Sequence, residues 1–545
     1  MDQPRFTDEV FNQAPPFGDL NLATLDTPLM DSVEAAGHAE ALCAFGAEWG
    51  SIDRLALGRL ANENPPLLHS HDPQGRRCDM VEFHPAYHTL MAASMSAGLH
   101  CSSWDVAGRP LHRRRAALLY VVSQVEAGHV CPLTMTHAAP AALAAAPHLL
   151  RAWLPRIRSR CYDSRFLPFW EKAGVTIGMG MTEKQGGSDV RANVSRAVPV
   201  TADEYEITGH KWFFSAPMSD AFLVLAQAPA GLTCFLIPRF RPDGAINGLR
   251  LMRLKRKLGN CSNASSEVEF DRAFAWRVGE EGRGVRTILQ MVQLTRLDCA
   301  VSSAGLMRLA LTLALHHAHH RRAFGRSLVD QPAMGMVLAD LALEAEASTA
   351  LAMRLAESFE AGAGNGGLNS MEAARARLLT PAVKFAICKA APGFIFETME
   401  ALGGNGYVEE GLMPRLYREA PVNAIWEGSG NVVALDLLRA ATREPDALQT
   451  LLTELKSEAA GLPGVHAAAE ELTRLIGPYT PSEAHARRAA QTLANLSATA
   501  ALARTAPAEV AEHFAATRLA QPRGLFGTNE ISSICDLLIE RAFAA

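Results

Sequence analysis

The sequence predicts an α+β protein that is mainly helical, with one small β domain set between helical segments. Three observations carry this. Apolar residues recur near the helical period over residues 41–167 and again from Gly284 onward. Between them lie short runs, apolar or alternating, separated by Gly and Pro. The chain has 545 residues, and one core serves roughly 100–200, so several domains are required. The division is 1–170 (arm and helices), 171–283 (β domain), 284–441 (helical bundle) and 442–545 (helical tail).

The helical assignment begins after an irregular stretch, 1–40, with Pro15-Pro16, expected as an extended arm. In residues 117–125 the apolar positions keep helical spacing, while 64–66 (Asn-Pro-Pro) and 70–77 read as loops. The β assignment rests on 205–208, 221–226, 233–237 and 266–270, the last alternating polar and apolar. Residues 285–318 form one long helical run. Residues 361–370 are a Gly/Asn-rich loop, and Pro381 and Pro392 are breaks or kinks in the helix over 372–402. Turns at 461–464 and 477–482 divide the tail.

Net charge is −5, so no global field draws the chain to nucleic acid or an anionic membrane. None of the ten cysteines forms a C-x-x-C pair, which argues against a zinc knuckle or a thioredoxin-type site. Together with the lack of a secretory pattern this points to reduced thiols in the cytoplasm. The Ala-rich stretch 138–150 is too short and too interrupted to span a bilayer, so no membrane role is expected.

Two loops carry the chemistry. Residues 177–190 open as an apolar strand and run into Thr182, Gly186-Gly187 and Ser188-Asp189. Paired glycines let a backbone approach a ligand closely, and exposed N–H groups beside hydroxyls suit a phosphate or a ring edge. The same composition also makes an ordinary strand-to-loop turn. Far downstream, 425–431 (I-W-E-G-S-G-N) has the same character. There a carboxylate, Glu427, sits between an indole and flexible glycines. If desolvated it becomes more basic, as proton abstraction beside a carbonyl requires; otherwise it is a surface glutamate. His316, His319 and His320 share a helical face but lack a carboxylate or cysteine to complete a metal set. The run Arg250, Arg253, Lys255, Arg256 and Lys257 is a solvated face unless its charges share one surface.

Five segments in order resemble the acyl-CoA dehydrogenase family: T-E-x-x-x-G-S-D at 182–189, K-W-F-F-S at 211–215 where the family has K-x-W-x-T, R-x-x-F-G at 321–325, L-G-G-x-G-Y at 402–407 and E-G-S/T at 427–429. Finer features are similar to one branch, the alkylation-response flavoproteins: L-G-R-L-A-N-x-N-P-P at 57–66, H-K-W-F-F-S at 210–215, L-Y-R-E at 416–419 and the tail. The likeness implies N-terminal helices, a middle β-barrel-like domain, a C-terminal four-helix bundle and an extra helical domain. It implies FAD between the β domain and the bundle, and a homotetramer built as a dimer of dimers.

By this resemblance, Met179, Gly180, Met181, Thr182, Glu183, Lys184, Gln185, Gly186, Gly187 and Ser188 line the cofactor. So do Trp212, Phe213, Phe214 and Ser215, with Ile425, Trp426, Gly428, Ser429, Gly430 and Asn431 closing over it. Arg321, Phe324, Gln331, Leu402, Gly403 and Gly404 reach the FAD of a neighbouring subunit. Glu427 is the base that takes an α-proton from an acyl-CoA. Phe213 and Ser215 stand where the family has tryptophan and threonine, which reshapes the pocket; the resemblance to the branch implies weak turnover of branched, isovaleryl-like thioesters. The branch also implies binding of double-stranded DNA and protection against alkylation, with Arg439, Arg487, Arg488, Arg504, Arg518 and Arg523 as candidate contacts. Against that, residues 443–545 hold nine Lys/Arg and twelve Asp/Glu, a net of −3. Two other readings remain: a catabolic dehydrogenase with no DNA role, and a non-catalytic DNA-binding protein with structural FAD.

Overall fold

The computed structural model describes residues 10–34, 37–105, 111–362, 370–476, 482–522 and 524–544. Arg523 and most of the Gly/Asn-rich loop fall outside them. The arm leads into helices α1 (Thr27–Glu34), α2 (Ala39–Trp49) and α3 (Ile52–Glu63), then α4 (Pro85–Ala97), α5 (His112–Val125), α6 (Val130–Leu143) and α7 (Pro147–Ile157). Ser51 starts α3 by accepting a hydrogen bond from the Arg54 N–H, and Pro85 occupies the first turn of α4.

The loop expected at 70–77 is the turn of a hairpin, β1 (Leu67–His71) with β2 (Arg77–Glu82). Asp72 Oδ1 accepts from the N–H groups of Gln74 and Arg76, both at 2.9 Å. The cause of the miss is long-range: Arg77 donates to the Leu251 carbonyl at 2.9 Å, so the hairpin is steadied by a β domain 174 residues downstream.

That domain contains β3 (Ile177–Gly180), β4 (Arg196–Pro199), β5 (Glu204–Ser215), β6 (Ala221–Ala228), β7 (Gly231–Pro238), β8 (Leu249–Leu254) and β9 (Ser265–Val278). Pairings β6-β4-β5-β9-β7 close on themselves through β7–β6, giving the barrel the resemblance implied; β3 joins β6 in parallel and β8 joins β9. One register break matters. Lys211 opposes Val268 but Phe214 opposes Ser266, so β5 carries one extra residue there, a bulge. Lys211 and Phe214 turn into the barrel, both at most 1% exposed, while Trp212 and Phe213 both face outward.

Helix α8 (Gly284–His320) is buried along most of its length, which explains its nearly continuous apolar sequence. With α9 (Pro332–Gly362), α10 (Ser370–Ala401) and α13 (Gly430–Arg443) it forms the bundle; α11 (Gly404–Tyr407) and α12 (Met413–Asn423) bridge α10 to α13. Pro381 and Pro392 lie inside α10 without ending it. Among the described residues two helical segments, Gly284–His320 and Met371–Ala401, are long and apolar enough to cross a bilayer, yet their apolar windows are 94% and 72% buried within the protein.

The tail comprises α14 (Pro445–Glu458), α15 (Val465–Ile476), α16 (Ala486–Thr505), α17 (Ala508–Phe514) and α18 (Cys535–Ala542). Leu493, Leu496 and Leu502 of α16 belong to the same apolar cluster as Leu309 of α8 and Leu341 of α9. The tail is therefore cemented to the bundle.

Candidate active site

A cavity of about 640 Å³ lies where the β domain meets the bundle. It is large enough for a ring system with a small substrate, since ligand pockets run to roughly 300–1,000 Å³. Its walls come from α6, the end of β3, β5, the segment before β9, α8, α12 and the loop before α13. The two loops singled out in the sequence meet here, more than 230 residues apart along the chain.

From the first loop, Met179, Met181, Thr182, Gly187 and Ser188 line the cavity. Gly187 is required where it stands: a Cβ there would lie 2.3 Å from the Thr182 hydroxyl. Glu183 is a correction. It is fully buried and pairs with Lys211 at 2.8 Å, while accepting from the Val194 and Ser195 N–H groups at 2.7 and 3.2 Å. Burial alone would raise its pKa; the Lys211 charge and these hydrogen bonds outweigh it and hold the carboxyl down to about 2. Glu183 thus braces the loop from behind. Lys184 and Gln185 face away from the cavity, Gln185 tying Glu183 to the Ala192 carbonyl. Gly180 packs under Phe214, where a Cβ would lie 2.5 Å from the ring, and Gly186 does not reach the wall.

From β5, Phe213 and Ser215 line the cavity; Trp212 and Phe214 do not. Phe214 packs against Phe222 inside the barrel, ring centres 4.2 Å apart, and is fully buried, so its side chain does not face the cavity. Trp212 lies beneath the Lys255 ammonium, 3.4 Å from the ring centre, and its backbone N–H donates to the Thr182 carbonyl at 2.8 Å. The bulge between Lys211 and Phe214 is what turns Phe214 into the barrel.

The second loop contributes Ile425, Trp426, Glu427, Gly428 and Ser429; Gly430 and Asn431 have already entered α13. Glu427 adopts a left-handed backbone, φ 59°, which is unfavourable for a side-chain-bearing residue. Buried cations hold it there. Lys384 on α10 donates to the Trp426 carbonyl at 2.9 Å and to the Gly428 carbonyl, and Arg296 on α8 donates to the Glu427 carbonyl at 3.0 Å. The Thr295 hydroxyl donates to Glu427 Oε2 at 2.8 Å. Burial pushes the Glu427 pKa above the ordinary glutamate value; Thr295, Arg296 and Lys384 pull it back part of the way. Sequence reasoning missed Thr295, Arg296 and Lys384. Their one signal was a cation or hydroxyl inside an otherwise apolar helix.

The remaining candidates lie elsewhere. Arg321, Phe324, Gln331 and residues 402–404 do not line this cavity. Phe324 is 98% exposed, and Arg321 donates to the Asn12 carbonyl of the arm at 2.6 Å. His316 and His320 bond the Pro15 and His316 carbonyls, and His319 stacks on Phe543; among the described residues no His, Cys, Asp or Glu group is arranged for a metal. In the tail, Arg518 is a correction: 6% exposed, it is paired with Asp340 and, at 3.0 Å, with Glu344. No DNA phosphate can reach it. Arg439, Arg487, Arg488 and Arg504 are all exposed, and of these Arg488 pairs with Glu471 and Arg504 with Glu357.

A β barrel against a helical bundle, with a buried carboxylate facing a Gly/Ser loop across one cavity, is the arrangement of the acyl-CoA dehydrogenase fold. Residues 178–273 match the middle domain of acyl-CoA dehydrogenases and 282–442 their C-terminal domain, while 12–164 match the N-terminal domain of the adaptive response protein AidB. The AidB protein of Escherichia coli (strain K12) is 49% identical over 460 residues, 83% of this chain and 84% of that one. The chain belongs to the AidB branch of the acyl-CoA dehydrogenase family, whose members are FAD-dependent oxidoreductases. The structure of Caenorhabditis elegans ACDH-11 in complex with C11-CoA superposes with a TM-score of 0.85 at 26% identity, covering 98% of this chain and 96% of that one. The apo form of Bd2924 gives 0.80 at 30% identity, covering 90% and 99%.

The cavity fits FAD by its chemistry. Met179, Met181, Phe213 and Trp426 offer apolar faces to a planar ring, and Thr182, Ser188, Ser215 and Ser429 offer hydroxyls to its polar edge and phosphates.

Proposed function

We propose that this protein oxidises acyl-CoA thioesters between Cα and Cβ, with Glu427 as the base. The observation that carries the reading is the Thr295-bonded carboxylate of Glu427, facing the same cavity as Thr182, Ser188 and Ser215. FAD, when bound, supplies the two-electron acceptor. An α C–H is a weak acid, so its removal calls for a carboxylate made more basic than usual and held still. Burial does the first, and the Lys384 and Arg296 clamp does the second. The relative solved with C11-CoA supports an acyl-CoA as substrate. The cavity must hold the flavin ring as well, which favours a short branched acyl group of the isovaleryl type. The test is anaerobic addition of isovaleryl-CoA to the FAD-loaded protein. Bleaching of the flavin band is expected; a band that persists with several short acyl-CoAs overturns the substrate assignment.

We further propose a homotetramer, supported by the exposure of Phe324 (98%) and Tyr407 (81%). Arg321, Phe324, Gln331 and Leu402–Gly404 then reach a neighbouring cofactor. Sedimentation at micromolar concentration checks this. A cytoplasmic location is supported by ten free cysteines. Kinship with AidB supports an accessory role in binding double-stranded DNA and guarding it against alkylation. Arg439 and Arg487, on the packed helices α13 and α16, are the exposed candidates without an acidic partner among the described residues.

A further inference from the structure

Lys257 lies in the wall of this cavity, and neither the sequence motifs nor the proposed chemistry uses it. Among the described residues no carboxylate comes within ion-pairing distance of its ammonium; Glu419 and Glu126 act on it only from farther off. Two of its three N–H donors are placed: one on the Asn263 carbonyl at 2.6 Å, the other on Ser265 Oγ at 3.0 Å. Ser265 Oγ in turn lies 3.3 Å from Ser215 Oγ. Lys257, Ser265 and Ser215 all line the cavity, together with Glu427.

A lysine ammonium only donates, so Ser265 must accept from it. With one lone pair so used, Ser265 keeps its own hydrogen to donate to Ser215, and in that direction the Ser215 hydrogen is left for Cys131 or for a group in the cavity. Run in that direction, the chain starts at a charge and ends as a hydroxyl donor. Its Thr182-side neighbour, Glu183, shows how this region otherwise treats a buried charge, pairing it directly with Lys211. Lys257 has no such partner. Its charge is therefore free to act on whatever occupies the cavity, where low polarity strengthens it.

We propose that Lys257 is a positioning residue for the cofactor: through Ser265 it fixes Ser215 as a donor into the cavity, and its positive charge favours the reduced flavin over the oxidised one. This rests on the FAD reading above. The direction follows from electrostatics, since reduction adds electron density to the ring and a nearby cation lowers its energy.

The test is the two-electron reduction potential of bound FAD, measured by equilibrium titration against a reference dye, for wild type, Lys257→Met, Lys257→Arg and Ser265→Ala. The visible spectrum is recorded first. A tenfold or larger shift toward oxidised flavin, about 30 mV, is expected in Lys257→Met. Lys257→Arg, which keeps the charge, should recover most of it, and Ser265→Ala, which breaks the chain but keeps the charge, should give a smaller shift. Equal potentials in wild type and Lys257→Met overturn the proposal. Should Lys257→Met hold no flavin, Ser265→Ala decides: an unchanged potential there overturns it. Wild type without flavin absorbance after reconstitution overturns the FAD reading itself, and that outcome is visible before any titration.

Discussion

The Thr295 hydroxyl, about a third of the way along the longest helix of the bundle, donates at 2.8 Å to the carboxylate of Glu427, 132 residues downstream in a loop. This bond lowers the Glu427 pKa while burial raises it. A base must be ionised to work, so activity rises with pH through the Glu427 pKa. Thr295→Val removes the lowering contribution, and the acid limb of kcat/KM should move to higher pH with FAD still bound. A limb at the wild-type pH would show that Glu427 is not the titrating base. Glu427→Gln should hold FAD and lose flavin reduction by acyl-CoA at least ~100-fold.

Glu183 and Lys211 form a fully buried ion pair behind the first loop. Lys211→Met strands a buried carboxylate, which costs roughly 3–5 kcal/mol. Thermal unfolding should show this loss, with release of FAD from the loosened loop. Adding Glu183→Gln should recover a large part of the stability. A double variant no more stable than Lys211→Met would deny the pairing its role.

Arg518 is a structural residue. Arg518→Ala should destabilise the docked tail by about 3 kcal/mol, because it leaves Asp340 buried beside Glu344 without its cation. At temperatures where it stays folded, its DNA affinity should keep the wild-type salt dependence. Removing exposed Arg439 and Arg487 together should flatten that dependence by about one to two log units per log salt. The opposite pattern, read by fluorescence anisotropy, would return the interface to Arg518.

Glu126 links α5 to the active-site wall. It is buried and accepts hydrogen bonds from the Gly128 and His129 N–H groups, His129 Nδ1 and Ser262 Oγ, all at 2.8–2.9 Å. Burial raises its pKa, but these bonds outweigh it and hold the carboxyl down to about 2, against 4.5 for an ordinary glutamate. A depressed carboxylate stabilises the fold above its unfolded pKa, and that stability is lost as pH falls through the folded one. The contribution is roughly 3 kcal/mol at neutral pH, fading between about pH 4.5 and 2. Glu126→Gln should flatten acid-induced unfolding over that window; an unchanged pH profile would place the acid lability elsewhere.

By itself the sequence determined the order of the parts. Helical and strand periodicity are local properties, so α8, β6, β7 and the return to helix after Gly284 were legible from a few residues each. Motif spacing singled out Thr182, Ser188, Ser215 and Glu427, because close backbone approach and a base beside glycines need particular residue types. Tertiary structure alone decided which polar groups serve ligands and which serve the fold. Glu183 and Arg518 looked available until Lys211 and Asp340 were placed beside them. Phe214 looked like a pocket wall until one extra residue in β5 turned it inward. Thr295, Arg296, Lys384 and Lys257 acquired meaning only when distant segments met at the cavity. Burial and pairing are set by residues far away along the chain. A charge in a sequence therefore carries no mark of whether water, a carboxylate or a cofactor will face it.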